Sequence, residues 1–129
     1  MIYLDSSAVV KLARQEAETN ALRTWLSENQ QPLVSSALVR TEAARAIARS
    51  EPGALVVLSS VLSAINQKSI TDDVLDAAAY LPDPSLRSLD AIHLATAEEL
   101  RSTLTWFVAY DKRLAEAARS RHLPVSTPS

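Results

Sequence analysis

Four acidic residues stand where an anion is out of keeping with its neighbours. Asp5 follows the apolar run Ile2-Tyr3-Leu4, and Asp111 ends the segment "TWFVAYD". Glu42 lies in "SSALVRTEAARAIA", beside a stripe of Val39, Ala43 and Ile47. Asp90 lies in "RSLDAIHLATA", among Ala91, Leu94 and Ala95. Singly, each has an ordinary explanation. Asp5 and Asp111 can each cap the helix that follows, for about 1 kcal/mol. Asp90 can also cap, although Ser88 is available for that task, and Glu42 can pair with Arg45 for a few tenths of a kcal/mol. Gathered together, they would behave differently. Two carboxylates about 4 Å apart repel by roughly 4 kcal/mol at an effective dielectric of about 20. A fold relieves such repulsion by protonating some of them or by binding cations. The donors are all oxygen, which selects magnesium or manganese over zinc. One divalent ion would leave a fully ionised quartet still negative, so a phosphodiester entering the site needs a second ion or a nearby arginine. Acid clusters of this kind let divalent cations activate water and stabilise a leaving oxygen in nucleases.

The elements that would have to position these acids alternate along the chain. Residues 2–4 read as a buried strand, 7–15 and 18–27 as helices, and 33–35 as a second strand. Ser35 or Ser36 can cap a helix running to about Arg49, which Glu51-Pro52-Gly53 stops. The apolar residues 54–65 read as a helix, 69–70 as a short strand, and 71–79 as a helix capped by Thr71. Residues 81–84 form a loop, 88–100 a helix, 105–109 the clearest strand, 112–121 the last helix, and 124–125 a short edge strand. Strands separated by helices imply an α/β fold, with a central parallel sheet covered on both faces as a three-layer α/β/α arrangement. In such sheets ligands gather beyond the carboxyl ends of the strands, which is where Asp5 and Asp111 fall.

Composition narrows the function classes. A chain of 129 residues with 47% apolar content fits a single domain over residues 1–129 with a packed core. With no cysteine, thiolate metal sites, disulfides and a cysteine nucleophile are excluded. Gly53 is the only glycine, so neither a P-loop nor a dinucleotide-binding glycine loop can form. No apolar run approaches the roughly 20 residues of a membrane span, and no secretory leader is evident, so a soluble cytoplasmic protein is expected. A net charge of −2 argues against a broadly basic surface. Arginines nevertheless outnumber lysines ten to three, so an anionic partner would be met locally. Arg40, Arg45, Arg49, Lys112 and Arg113 are the candidates, most of them reading as solvated helix surface, with Arg113 best placed beside Asp111. His93 reads as a packed histidine with one satisfied nitrogen, and His122 as a residue favoured by the helix end it follows. Neither histidine sits with a serine nucleophile motif. A phosphatase of the haloacid dehalogenase type would want a second aspartate where Ser7 stands. A receiver domain would want one at the end of a middle strand, and residues 34–35 and 69–70 supply none.

In order and spacing, "MIYLDSSA", "SSALVRTEAARA", "RSLDAIHLATA" and "FVAYDKRLAEAA" resemble the four acidic motifs of PIN-domain proteins, and more narrowly the VapC-type toxins of toxin–antitoxin pairs. The match runs from the first residue to about residue 119. The resemblance implies a magnesium-dependent endoribonuclease, with manganese able to substitute, that leaves a 5′-phosphate and a 3′-hydroxyl. It also implies an RNA substrate, a VapB-like antitoxin that occludes the site, a homodimer, and a higher assembly with the antitoxin. Carried over by position, Asp5, Glu42, Asp90 and Asp111 form the quartet. Asp5 and Asp90 would be direct metal ligands, with Glu42 and Asp111 completing the site through a second metal or by orienting water. Ser6 and Arg113 would support a ligand or the scissile phosphate. The run "ALVVLSSVLSAI" reads as core, and would receive an antitoxin helix or a second subunit if its Val57 and Val61 side were open. The alternative is a catalytically silent module of the same fold that docks RNA or a protein.

Overall fold

The computed structural model describes residues 1–129. Its strands are β1 (Ile2–Leu4), β2 (Leu33–Ser36), β3 (Ile65–Lys68), β4 (Trp106–Val108) and β5 (Val125–Ser126). Its helices are α1 (Ser6–Ala13), α2 (Thr19–Glu28), α3 (Val39–Ser50), α4 (Leu55–Ser63), α5 (Asp72–Ala79), α6 (Ser88–Glu99) and α7 (Lys112–Ser120). The strands lie in the order β3-β2-β1-β4-β5 and every neighbouring pair is parallel. From β1 the chain winds outward to β3, then crosses back to β4 on the other side of β1. The strand order therefore reverses between β1 and β4, and a crevice opens at their carboxyl ends.

Period-2 alternation in β1 and β4 builds the two halves of the core. Ile2, Leu4 and Val108 face α1 to α4, packing with Val9, Leu22, Val39, Ala43, Ile47 and Leu58. Tyr3 and Phe107 face the opposite side, packing with Leu94 and Ala97 of α6 and Leu114 and Ala118 of α7. The three-layer expectation holds. No helix is long and apolar enough to cross a membrane.

Four local expectations are corrected. The apolar run over 54–65 is not one helix: a 3-10 turn at Pro52–Ala54 precedes α4, and Ile65 opens β3 instead. Residues 69–70 form no strand. The strand is "INQK", which escapes apolar patterning because it lies at the sheet edge with only Ile65 buried. Reading 54–65 as core also fails over α4: Leu58 is buried there, while Val56 is 80% exposed and Val57 is open beside it. Finally, Ser36 does not cap α3. It ends β2, and its hydroxyl accepts the Leu38 N–H at 3.1 Å, one turn before the helix begins. Thr71 does cap α5, accepting the Val74 N–H.

Candidate active site

Asp5 is carried to the crevice by β1. Its backbone N–H donates to the Val108 carbonyl at 3.1 Å, which ties the end of β1 to the end of β4. Its side chain is only 4% exposed and caps α1, with Oδ1 accepting from Ala8 N–H at 3.0 Å and from the Ser7 hydroxyl at 2.7 Å. Ser7 also accepts the Tyr110 N–H at 3.1 Å, which draws the start of α1 against the segment leading to Asp111. Both bonds to Asp5 fall on Oδ1, leaving Oδ2 without a protein partner. Burial pushes the Asp5 carboxyl up to about 6, against the lowering effects of Ser7, His93 and the Ala8 amide. Asp90 adds to the rise, which places the two negative charges within reach of each other.

Asp90 sits in the first turn of α6 and Asp111 caps α7 by accepting the Leu114 N–H at 3.0 Å. Burial raises the Asp90 carboxyl, Arg87 lowers it, and Asp111 raises it again. Arg87, in extended backbone just ahead of α6, bridges the pair: its Nε lies 3.4 Å from Asp90 Oδ2, and a terminal nitrogen lies 3.6 Å from Asp111 Oδ2. The guanidinium is 72% exposed, so the bridge is a solvated one worth little in stability. Arg87, Tyr110, Asp111, Lys112 and Arg113 line one open cleft. Arg113 thus lies where its sequence position predicts, whereas Arg40, Arg45 and Arg49 are exposed along α3.

Glu42 takes a different course from the pairing with Arg45 that its spacing allows. Its Oε1 accepts from the Ser6 hydroxyl and lies 2.6 Å from Nε2 of His93. Burial would raise this carboxyl, but hydrogen bonds from His93 and Ser6 outweigh it and hold Glu42 below its ordinary range. His93 is not satisfied at one nitrogen only. Its Nδ1 lies 2.6 Å from the Tyr3 hydroxyl, and its Nε2 also lies 3.0 Å from Ser6 Oγ. Burial pushes the Tyr3 phenol far above its usual range, so it keeps its proton.

In this arrangement no three acidic or histidine side chains converge tightly enough to enclose a metal ion. Glu42 is held by His93 and Ser6, while Asp90 and Asp111 are drawn toward Arg87. The donor set nevertheless fits a hard divalent cation. Asp5 and Asp111 follow the carboxyl ends of β1 and β4, and Asp90 interacts by charge with both; Asp5 is buried with an unpartnered oxygen and a charge that burial disfavours. A hard cation at that oxygen would supply the missing counter-charge. Sequence reasoning missed Arg87 and Tyr3. An arginine three residues before Asp90 was a readable i,i+3 signal, whereas nothing local to Tyr3 distinguishes it from a core aromatic.

Comparison with known sequences matches residues 2–120 to the PIN domain. A Mycobacterium tuberculosis protein named ribonuclease VapC35 is 45% identical over 131 residues, spanning 99% of this chain and 97% of its own. Ribonuclease VapC46 of the same organism is 43% identical over 128 residues, spanning 99% and 98%. Among solved structures, M. tuberculosis VapC20, described as a Sarcin-Ricin loop cleaving toxin, superposes with a TM-score of 0.74 at 17% identity, covering 91% of this chain and 95% of that one. A toxin–antitoxin complex from Klebsiella pneumoniae gives a TM-score of 0.73 at 18% identity, covering 100% and 98%. At these identities the two structures establish a shared fold.

Proposed function

The chain belongs to the PIN-domain family, and from that membership we propose that it is a VapC-type endoribonuclease, the toxin of a toxin–antitoxin pair, acting as one PIN domain over residues 1–129. The reading takes Asp5, Glu42, Asp90 and Asp111 as the catalytic quartet and magnesium as the cation, with manganese as a substitute. The observation that carries it is Asp5: a buried, half-unpartnered carboxylate at the point where the strand order reverses, within electrostatic reach of Asp90. A fold keeps such a group when a cation or substrate is to meet it.

The bound cation would supply an acidified water and neutralise charge on the phosphate oxygens. Asp5 and Asp90 would hold it. Glu42, fixed by Ser6 and His93, would complete the site through its other oxygen, by holding a second cation or by orienting the water. Arg87, Lys112 and Arg113 would hold RNA phosphates beside Asp111, with Arg87 exchanging its carboxylate partners for phosphate. The products would be a 5′-phosphate and a 3′-hydroxyl. A VapB-like antitoxin and a second copy of the chain would cover apolar side chains that are open to solvent, Val56 and Val57 on α4 and Leu75, Tyr80 and Leu89 around α5 and α6. The reading places the protein in the cytoplasm, where an RNA substrate and a VapB-like antitoxin would be met.

The test is cleavage of labelled structured RNA by antitoxin-free protein, with magnesium or with chelator, beside Asp90→Asn. Cleavage that requires the cation and disappears in the variant supports the reading, equal cleavage by both proteins points to a contaminating ribonuclease, and no cleavage of several RNA types with no magnesium uptake overturns it. The alternative is a catalytically silent binding module of the same fold. It draws on the absence of three acidic or histidine side chains close enough to enclose a metal ion, and predicts RNA or protein binding with no magnesium uptake by calorimetry.

A further inference from the structure

We infer that the buried Tyr3–His93 pair is a positioning unit that holds Glu42 by its Oε1 oxygen and leaves only Oε2 to serve the cation. The inference rests on the reading of the acids as a metal site and goes beyond it to two residues outside the quartet.

The direction of the chain follows from a backbone amide, which can only donate. The Ser36 N–H donates to the Tyr3 hydroxyl oxygen at 3.1 Å. The phenolic proton then has one acceptor within bonding distance, His93 Nδ1 at 2.6 Å. An imidazole that accepts at Nδ1 carries its proton on Nε2, and a doubly protonated ring carries one there as well. That nitrogen faces Glu42 Oε1 at 2.6 Å and Ser6 Oγ at 3.0 Å, and the Ser6 hydroxyl donates to the same Oε1. Glu42 Oε1 therefore receives two donors and Oε2 none. The rings that set this geometry cannot drift. Tyr3 and His93 are 0% and 1% exposed, and Phe107 stacks on Tyr3 at a centroid distance of 5.2 Å. Core packing alone would be met by Phe and Leu at these positions. A polar pair buried so deeply and ending on a site carboxylate resembles the outer-shell partners that orient metal ligands, whose loss costs about 10–100-fold in affinity or activity.

The test is calorimetric titration of magnesium into the full chain, for wild type, Tyr3→Phe, His93→Gln and His93→Leu, with a thermal melt of each. Expected are a loss of about 10–100-fold in magnesium affinity for His93→Leu, a smaller loss for Tyr3→Phe, and recovery of most of the affinity in His93→Gln. The glutamine amide can still donate to Oε1, so rescue separates positioning from a general effect on packing. Should His93→Leu not fold, Tyr3→Phe decides the matter. A folded His93→Leu or Tyr3→Phe that binds magnesium as wild type does would overturn the inference alone. Wild type that takes up no magnesium would overturn the metal reading and the inference with it.

Discussion

Asp5 carries two roles that conflict energetically. As a helix cap it needs only an acceptor oxygen, which asparagine supplies equally well. As a site residue it must be ionised, and burial opposes that, raising it from 3.8 to about 6. A raised carboxyl favours the fold while protonated. Its contribution is complete below about 3.8 and is lost as pH rises through about 6. The two values differ by roughly 2 units, or about 3 kcal/mol. In magnesium-free buffer, Asp5→Asn should therefore stabilise the protein by up to about 3 kcal/mol at pH 8 and by nothing near pH 4, as followed by denaturant melts. The same variant should be inactive, since an amide cannot offset a cation's charge. A variant no more stable than wild type at pH 8 would show that Asp5 is already balanced. At sub-saturating magnesium, kcat/KM should fall as pH drops below about 6, because protons and the cation compete for Asp5. A rate independent of pH between 5 and 8 would contradict that competition.

Helices set which acids can reach the crevice. In α3, Val39, Ala43 and Ile47 recur at four-residue spacing and are fully buried. Glu42 stands one residue off that line, on the flank, where a side chain is half-covered and free to turn toward a neighbouring element. In α7 the capping aspartate is also the fourth acid of the proposed quartet, so the element that shields β4 begins at the candidate site. The far end of α7 closes in a Schellman arrangement: Leu123 N–H donates to Ala118 O at 3.0 Å and His122 N–H to Arg119 O at 2.9 Å. The residue that takes the left-handed conformation this requires is His122, at φ 63°, where glycine is usual. A Cβ there costs roughly 1 kcal/mol. His122→Gly should recover about that much stability without touching cleavage, since the site lies at the opposite end of the helix. Loss of stability on substitution would mean that the imidazole makes a contact outweighing the backbone cost.

Across the whole molecule, charge is distributed so that an anionic partner would be met locally. Net charge is −2, yet Arg87, Lys112 and Arg113 border one cleft at Asp111. Three phosphate contacts predict a shallow salt dependence, with log K against log salt falling by about 0.7 per contact on single strands. Arg113→Ala should reduce that slope by about 0.7 and weaken binding across RNA sequences alike, measured in chelator so that cleavage does not intervene. An unchanged slope would remove Arg113 from the RNA-binding surface.

By itself the sequence determined the alternation of strands and helices, and through it the parallel sheet with both faces covered. It also determined the four acids, their all-oxygen chemistry and the strand-end position of two of them. These are properties of neighbours a few residues apart, where backbone sterics and apolar period act directly. Only the tertiary structure decided which acid meets which partner. The pairing of β1 with β4 sets Asp5 beside the segment that ends in Asp111, and it joins residues some hundred positions apart. Tyr3 meets His93 across 90 positions, and His93 meets Glu42 across 51. No local pattern marks such contacts, because a buried polar atom takes whichever donor the packing of distant elements brings within 3 Å. The edge strand at Ile65–Lys68 was hidden for a related reason: with one buried residue, it owes its form to the hydrogen bonds of β2 rather than to its own composition.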